Sequence, residues 1–249
     1  MELDFTAQPG AARRATRVWT YARYEFITLI RNGEQVLLTL IIPIALMFGL
    51  TFFGSRLDVA RTSVFPNVLA IAIIATSFTS LAINTAFERR SASLQLLATT
   101  PLSATNLLAG KAIAVALFEL IQFAILAAIS LALGLGGFVL FPVVLVVLLG
   151  TASFAALGFF IAGVLRAEAV LAVANGVFLF FLVASGLTVP LSAFGDTWAQ
   201  VMAFTPATAL AQSLQHAVEG YLDLVAIAVL MTWGVVAALG AKATFRWDS

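Results

Sequence analysis

Residues 64–86 read VFPNVLAIAIIATSFTSLAINTA, with no charge anywhere, and residues 87–111 then turn polar: FERRSASLQLLATTPLSATNLLAGK. A helix rises about 1.5 Å per residue, so a hydrocarbon core of ~30 Å takes about 20 apolar residues. The first stretch has that length. Its central run, VLAIAIIATSF (68–78), lacks the apolar/polar alternation that a transmembrane barrel strand needs. In lipid each backbone polar group must find its partner inside the segment, so the stretch is read as a spanning helix.

Five more stretches qualify, giving spans at about 35–55, 64–86, 111–133, 139–164, 169–190 and 221–243 in one transmembrane domain over 1–249. The chain is 62% hydrophobic and 10% charged, with a mean hydropathy of +1.07. Soluble domains carry roughly 25% charged residues, so a water-facing surface of normal size cannot be built. The fold class is therefore all-α integral membrane. A net charge of +1 gives no basic bulk for nucleic acid, and zero cysteines exclude disulfide and thiolate chemistry. The N-terminal MELDFTAQPGAARRATRVW (1–19) has two acids ahead of its arginines and no apolar run of membrane length before about Gln35, unlike a signal peptide.

With six spans, both termini and the second and fourth connectors share one side. That side holds Arg13, Arg14, Arg17, Arg23, Arg31, Arg89, Arg90, Lys111, Arg166, Lys242 and Arg246; the other holds Arg56 and Arg61. Basic residues stay in the cytoplasm, so both termini are expected there.

Before span one, residues 16–34 (TRVWTYARYEFITLIRNGE) repeat Val18, Ala22, Phe26, Leu29 and Ile30 at helical spacing. Arg17, Arg23 and Arg31 fall among the polar positions. This predicts an amphipathic helix in the inner interface, with Trp19, Tyr21 and Tyr24 at headgroup depth; an ordinary extension of span one is the plainer alternative. Pro43 predicts a kink within that span. The external segment 191–220, broken by Gly195 and Pro206, is read as one or two half-helices re-entering the outer leaflet, or else as helices lying on the outer face.

In the polar connector 87–110, Leu94, Leu97 and Ala98 share one helical face behind Glu88, Arg89 and Arg90. Thr100–Pro101 stops that helix, because the residue before proline is pushed out of the helical region. Ser103 suits the N-cap of the next helix. A short amphipathic helix in the cytoplasm could lie on headgroups or dock into a groove of a soluble partner.

The order of helix, span, span, connector and four spans resembles the permease subunit of type-2 ABC exporters (ABC-2 type, multidrug or daunorubicin-exporter-like). The connector carries the resemblance in Glu88, Arg89, Leu94, Leu97, Thr100, Pro101, Leu102, Ser103, Leu107, Leu108, Gly110 and Lys111. Arg31, Pro43 and the late SGLTVPLSAFGDTW and FTPATALAQSL segments extend it over nearly the whole chain. Many members carry glycine after the charged pair, where this chain has Ser91, Ala92 and Ser93. The resemblance implies two permeases, identical or related, on two ATP-binding subunits in a bacterial plasma membrane. The connector would be a coupling helix seated in the ATPase, involving Glu88, Arg89, Arg90, Leu94, Leu97, Thr100 and Pro101. ATP and magnesium would belong to that partner, and the substrate, a drug, lipid or glycolipid, would move outward between the permeases. The chain has no phosphate-binding loop of its own: its one Gly-Lys pair, Gly110–Lys111, has Thr105 where the first glycine belongs and is followed by Ala112. No catalytic residue, cofactor or metal site is expected in it.

Polar groups inside spans are costly. Glu119 lies eight residues beyond Lys111, roughly 12 Å deeper, with Gln122 on the same face. Both, with Asn84 and Asn175, are candidates for the substrate path, or for structural bonds between helices. A proton- or ion-coupled secondary transporter using Glu119 is the competing reading, though such proteins tend to show matched broken helices in two halves. His216 stands alone and is given no role.

Overall fold

The computed structural model describes residues 12–57, 59–91 and 102–244, and among them the chain is helical, with no strand. Six helical stretches are long and apolar enough to cross a membrane. They are Thr39–Arg56 (span one), Arg61–Arg90 (span two), Ala104–Ala132 (span three), Leu140–Val164 (span four), Ala167–Ala184 (span five) and Leu224–Thr244 (span six). The protein is thus an all-helical, multi-pass membrane protein.

Span two is the central post. In its most apolar window 78% of the residues are buried, against 22% in span five and 28% in spans one and six. Phe65, Val68, Leu69, Ile73, Ile74 and Phe78 of this post pack with Phe123 and Leu126 of span three and Val146, Val147 and Phe154 of span four. Water does not drive helices together inside lipid, so close van der Waals packing at small residues must do it. Spans four and six illustrate this: a Cβ on Gly234 would lie 2.9 Å from Ser153 Cα. The more open spans one, five and six present Phe52, Phe53, Leu179, Val183, Val236 and Leu239 outward.

Span one bears the expected mark of Pro43. Proline has no N–H for the carbonyl four residues back, which is that of Thr39. The backbone widens into a π turn over Leu37–Ile41 just ahead of it, and the Thr39 carbonyl accepts a hydrogen bond from Gln122 Nε2 of span three. Gln122 is thereby a structural tie. Gln122→Leu should leave that carbonyl unpaired in an apolar interior and lower stability by about 1–3 kcal/mol. In a Pro43→Ala background, where the backbone N–H returns, the same change should cost less. Equal losses in both backgrounds, measured by unfolding in detergent, would refute the pairing.

The segment between spans five and six contains the helices Asp196–Met202 and Pro206–Glu219. The second is about 21 Å long at 1.5 Å per residue, short of a crossing. Its Pro206, Ala207, Thr208, Ala209, Leu210, Ala211, Ser213, Leu214 and Ala217 are buried, and Leu210 lies against Gly150 of span four. These residues are more than a single stripe, so the helix is packed within the bundle.

The N-terminal helix, Arg14–Arg31, lies along the start of span three. Ala22 is buried and Val18, Phe26 and Leu29 half-buried, while Trp19 and Tyr24 are 58% and 62% exposed. Tyr21 departs from its expected headgroup position: it is buried against Gly110, where a Cβ would fall 2.6 Å from its ring. Only a residue without a side chain admits the helix this closely.

Candidate functional site

Two places bring the sequence-predicted site residues together with polar partners. The first brackets the connector. Span two continues as helix to Arg90, and span three begins at Ala104, with Asn106 N–H donating to Ser103 Oγ at 3.3 Å. The helix thus starts where the Ser103 cap directs it. Residues 92–101, with Leu94, Leu97, Thr100 and Pro101, lie outside the described residues.

The two ends of this connector meet at Lys111. Its ammonium is 2.7 Å from Glu25 of the N-terminal helix and 2.7 Å from Glu88 at the end of span two. Lys111 is 2% exposed, and Glu25 and Glu88 are 12% and 29% exposed. Tyr21 donates its phenolic proton to Glu25, and its ring lies 6.0 Å from the Lys111 ammonium, at the edge of cation–π range. Burial, reinforced by the Glu25 charge, holds the Tyr21 phenol well above its ordinary range, so it remains a donor. Arg14 Nε bonds Asn106 Oδ1 at 2.8 Å, tying the same two helices a second time.

The three charged residues opening the connector do different things. Glu88 holds Lys111. Arg89 is turned into the bundle, 8% exposed, and donates to the carbonyls of Gly163 at 2.8 Å and Leu165 at 2.5 Å. Arg90 is exposed and pairs with Glu168 at the start of span five. In the N-terminal helix Trp19, Arg23 and Arg31 are exposed, and Arg17 is half-buried.

The second place is a cavity of about 440 Å³ between spans one, two and five. A π-helical stretch, Ile74–Ser80, supplies part of its wall. Asn84 Nδ2 donates to Gln35 Oε1 at 3.0 Å, and Gln35 Nε2 to Ser80 Oγ at 2.6 Å. This uncharged chain joins the short helix Gly33–Val36 ahead of span one to span two, with Ile42, Ile71, Leu171 and Phe178 supplying apolar wall. Asn175, on the rim, is exposed and donates to its own helix at Leu171 O, 2.8 Å away.

Asn84 and Asn175 therefore share one cavity; Glu119 and Gln122 do not line it. Glu119 is 1% exposed and accepts from the Thr151 hydroxyl of span four. Gln35, Thr79, Glu25 and Tyr21 join these two places only through packing, and Lys111, already part of the connector motif, gains its partners the same way. The signal for the clamp was Glu25, an acid in the middle of a stretch whose other charges, until Glu34 at its end, are all arginines. Among the described residues no three His, Cys, Asp or Glu side chains come together as a metal site.

The family profile described as "ABC-2 family transporter protein" matches residues 54–243. No curated protein matches the chain. The matched region runs from the end of span one to the end of span six, well over half of the sequence, and takes in both the connector and its charged brackets. The chain belongs to the ABC-2 family of transporters and is the membrane-spanning permease subunit of an ABC transporter.

Proposed function

We propose that this permease works as half of an exporter's membrane core. Two permeases, identical or related, sit on two copies of an ABC ATP-binding subunit and move a hydrophobic or amphiphilic molecule, such as a drug, lipid or glycolipid, outward across a bacterial plasma membrane. Both termini and the 87–110 connector face the cytoplasm. The connector is the coupling helix, and the N-terminal helix lies in the inner interface and braces it.

The observation that carries this reading is the Lys111 clamp. It fastens the last turn of span two, the first turns of span three and the N-terminal helix to one another at the base of residues 92–101. Force applied to the connector must therefore reach the two spans and the helix together. The cavity supports the same reading. Asn175 stands eight residues into span five, about 12 Å deep, and is exposed. An exposed carboxamide at that depth is unfavourable against hydrocarbon, so the face is covered by the second permease, by substrate or by water.

The test is co-purification with the ATP-binding subunit. Leu94→Asp with Leu97→Asp should insert normally and lose that subunit; undiminished binding ends the coupling-helix reading. The competing proton-coupled mechanism is separated by Glu119→Gln. Because Glu119 bonds Thr151 in the interior and lies off the cavity, transport in proteoliposomes should be unchanged. Loss of ATP-driven transport, or its replacement by gradient-driven transport, favours the competitor.

A further inference from the structure

A second, smaller pocket of about 250 Å³ lies at the opposite end of the bundle from the Lys111 clamp. It is walled by the start of span two, the turn after span five and the helix Pro206–Glu219. Its hydrogen-bonding groups are Ser63, Asn67, Ser185, Thr208, Gln212 and Gln215, and no charged side chain among the described residues lines it. Asp58, beside the lining residue Val59, lies outside the described residues.

These six groups fall into two sets. Asn67, Thr208 and Gln215 are already engaged. Asn67 Nδ2 donates to Leu187 O at 3.1 Å, Gln215 Nε2 donates to Asn67 Oδ1 at 2.8 Å, and Thr208 Oγ1 reaches Ser185 O at 3.3 Å. This frame fixes the wall. The hydroxyl of Ser185, 1% exposed, has no hydrogen-bond partner. Neither does the half-buried carboxamide of Gln212 or the half-buried hydroxyl of Ser63, among the described residues. A polar group left unpaired in a buried wall is unfavourable; the Ser185 hydroxyl is such a group, and the half-buried Gln212 and Ser63 side chains border the same space with their hydrogen-bonding capacity unused inside the fold.

We propose that this pocket binds a neutral polyhydroxyl group the size of one sugar ring. A volume of about 250 Å³ equals roughly eight waters at ~30 Å³ each, which suits one ring and is below the range of drug-sized pockets. Hydroxyls both donate and accept, as do Ser63, Ser185 and Gln212, and the lining supplies no countercharge for an ionic headgroup. The inner cavity differs: its Gln35, Asn84 and Ser80 satisfy one another. The outer location rests on the topology proposed above, while the binding chemistry does not.

The experiment is equilibrium binding of radiolabelled methyl β-glucoside to the full chain in phosphatidylcholine nanodiscs. A parallel series uses nanodiscs doped with glucosyl-diacylglycerol and reads protection against heat unfolding. Saturable uptake of methyl glucoside, weakened about tenfold by Gln212→Leu and by Ser185→Ala, supports recognition of the ring alone. Saturable protection by the glycolipid only, lost in the same variants, supports the ring when borne by lipid. Gln212 holds nothing in the fold, so the unliganded variant should melt with the parent, which separates lost binding from lost structure. Absence of saturable binding in both series, binding indifferent to Gln212→Leu, or equal displacement by choline or methyl phosphate overturns the proposal. Nanodiscs expose both faces, so an error in topology or in ATPase coupling leaves this result untouched.

Discussion

Lys111→Met should lower the stability of the folded permease by about 3–5 kcal/mol, the usual effect of removing one member of a buried ion pair. The ammonium is 2% exposed and faces two carboxylates at 2.7 Å. Without it, Glu25 and Glu88 confront each other as like charges in a largely buried site, and Tyr21 donates to only one of them. The N-terminal helix then loses its main polar tie to span three, and the connector's two ends lose their common anchor. The expected record is a large fall in the melting midpoint in detergent. The loss should be partly recovered by adding Glu25→Gln, because the second change removes one of the stranded charges. Residues sharing one network couple by about 0.5–3 kcal/mol, so the double variant should be more stable than the sum of the single effects. An unchanged midpoint in Lys111→Met, or strict additivity with Glu25→Gln, shows that the clamp is not what holds these helices.

The number and identity of the spans were legible because lipid imposes length and apolarity, and both are read residue by residue. The ends were less so. Span two was expected to stop near residue 86, where charge begins, yet it continues to Arg90; each of those charges has a partner elsewhere in the fold that composition cannot reveal. Span five ends at Ala184 rather than near 190, because Trp198 Nε1 and the following turn take over its last carbonyls. Span six begins at Leu224 rather than 221, where Asp223 Oδ1 accepts the N–H groups of Val225 and Ala226.

The site was legible in one respect and hidden in another. An amide within an apolar span is conspicuous, so Asn84 and Asn175 stood out, and they do border one cavity. Glu119 was the most conspicuous of all and lies off it, since conspicuousness measures the desolvation penalty and says nothing of direction. Lys111 was visible, but its partners Glu25 and Glu88 lie 86 and 23 residues away in sequence. Only the packing of the N-terminal helix onto Gly110 brings the first of them into reach.

The same limit governs Arg89 and Arg90, which sequence alone treats as one charged pair. Adjacent residues on a helix point about 100° apart, at 3.6 residues per turn, so at the edge of a bundle one can face in while the other faces out. Arg89 faces in and caps the end of span four, where the last carbonyls of a helix lack partners and carry the negative end of its dipole. Each charge-assisted bond is worth about 1.5–3 kcal/mol, and Arg89 makes two. Arg89→Met should therefore lower stability by about 3–5 kcal/mol. Arg90 and Glu168 are 61% and 63% exposed, a setting where ion pairs contribute about 0–1 kcal/mol, so Arg90→Met should melt with the parent. Function should divide the other way. If the cytoplasmic end of span two meets the ATP-binding subunit, Arg90→Met weakens co-purification at full stability. Arg89→Met, rescued by lower temperature, should retain that subunit. Equal melting of the two variants removes the capping role of Arg89, and unaltered co-purification of Arg90→Met removes Arg90 from the docking surface.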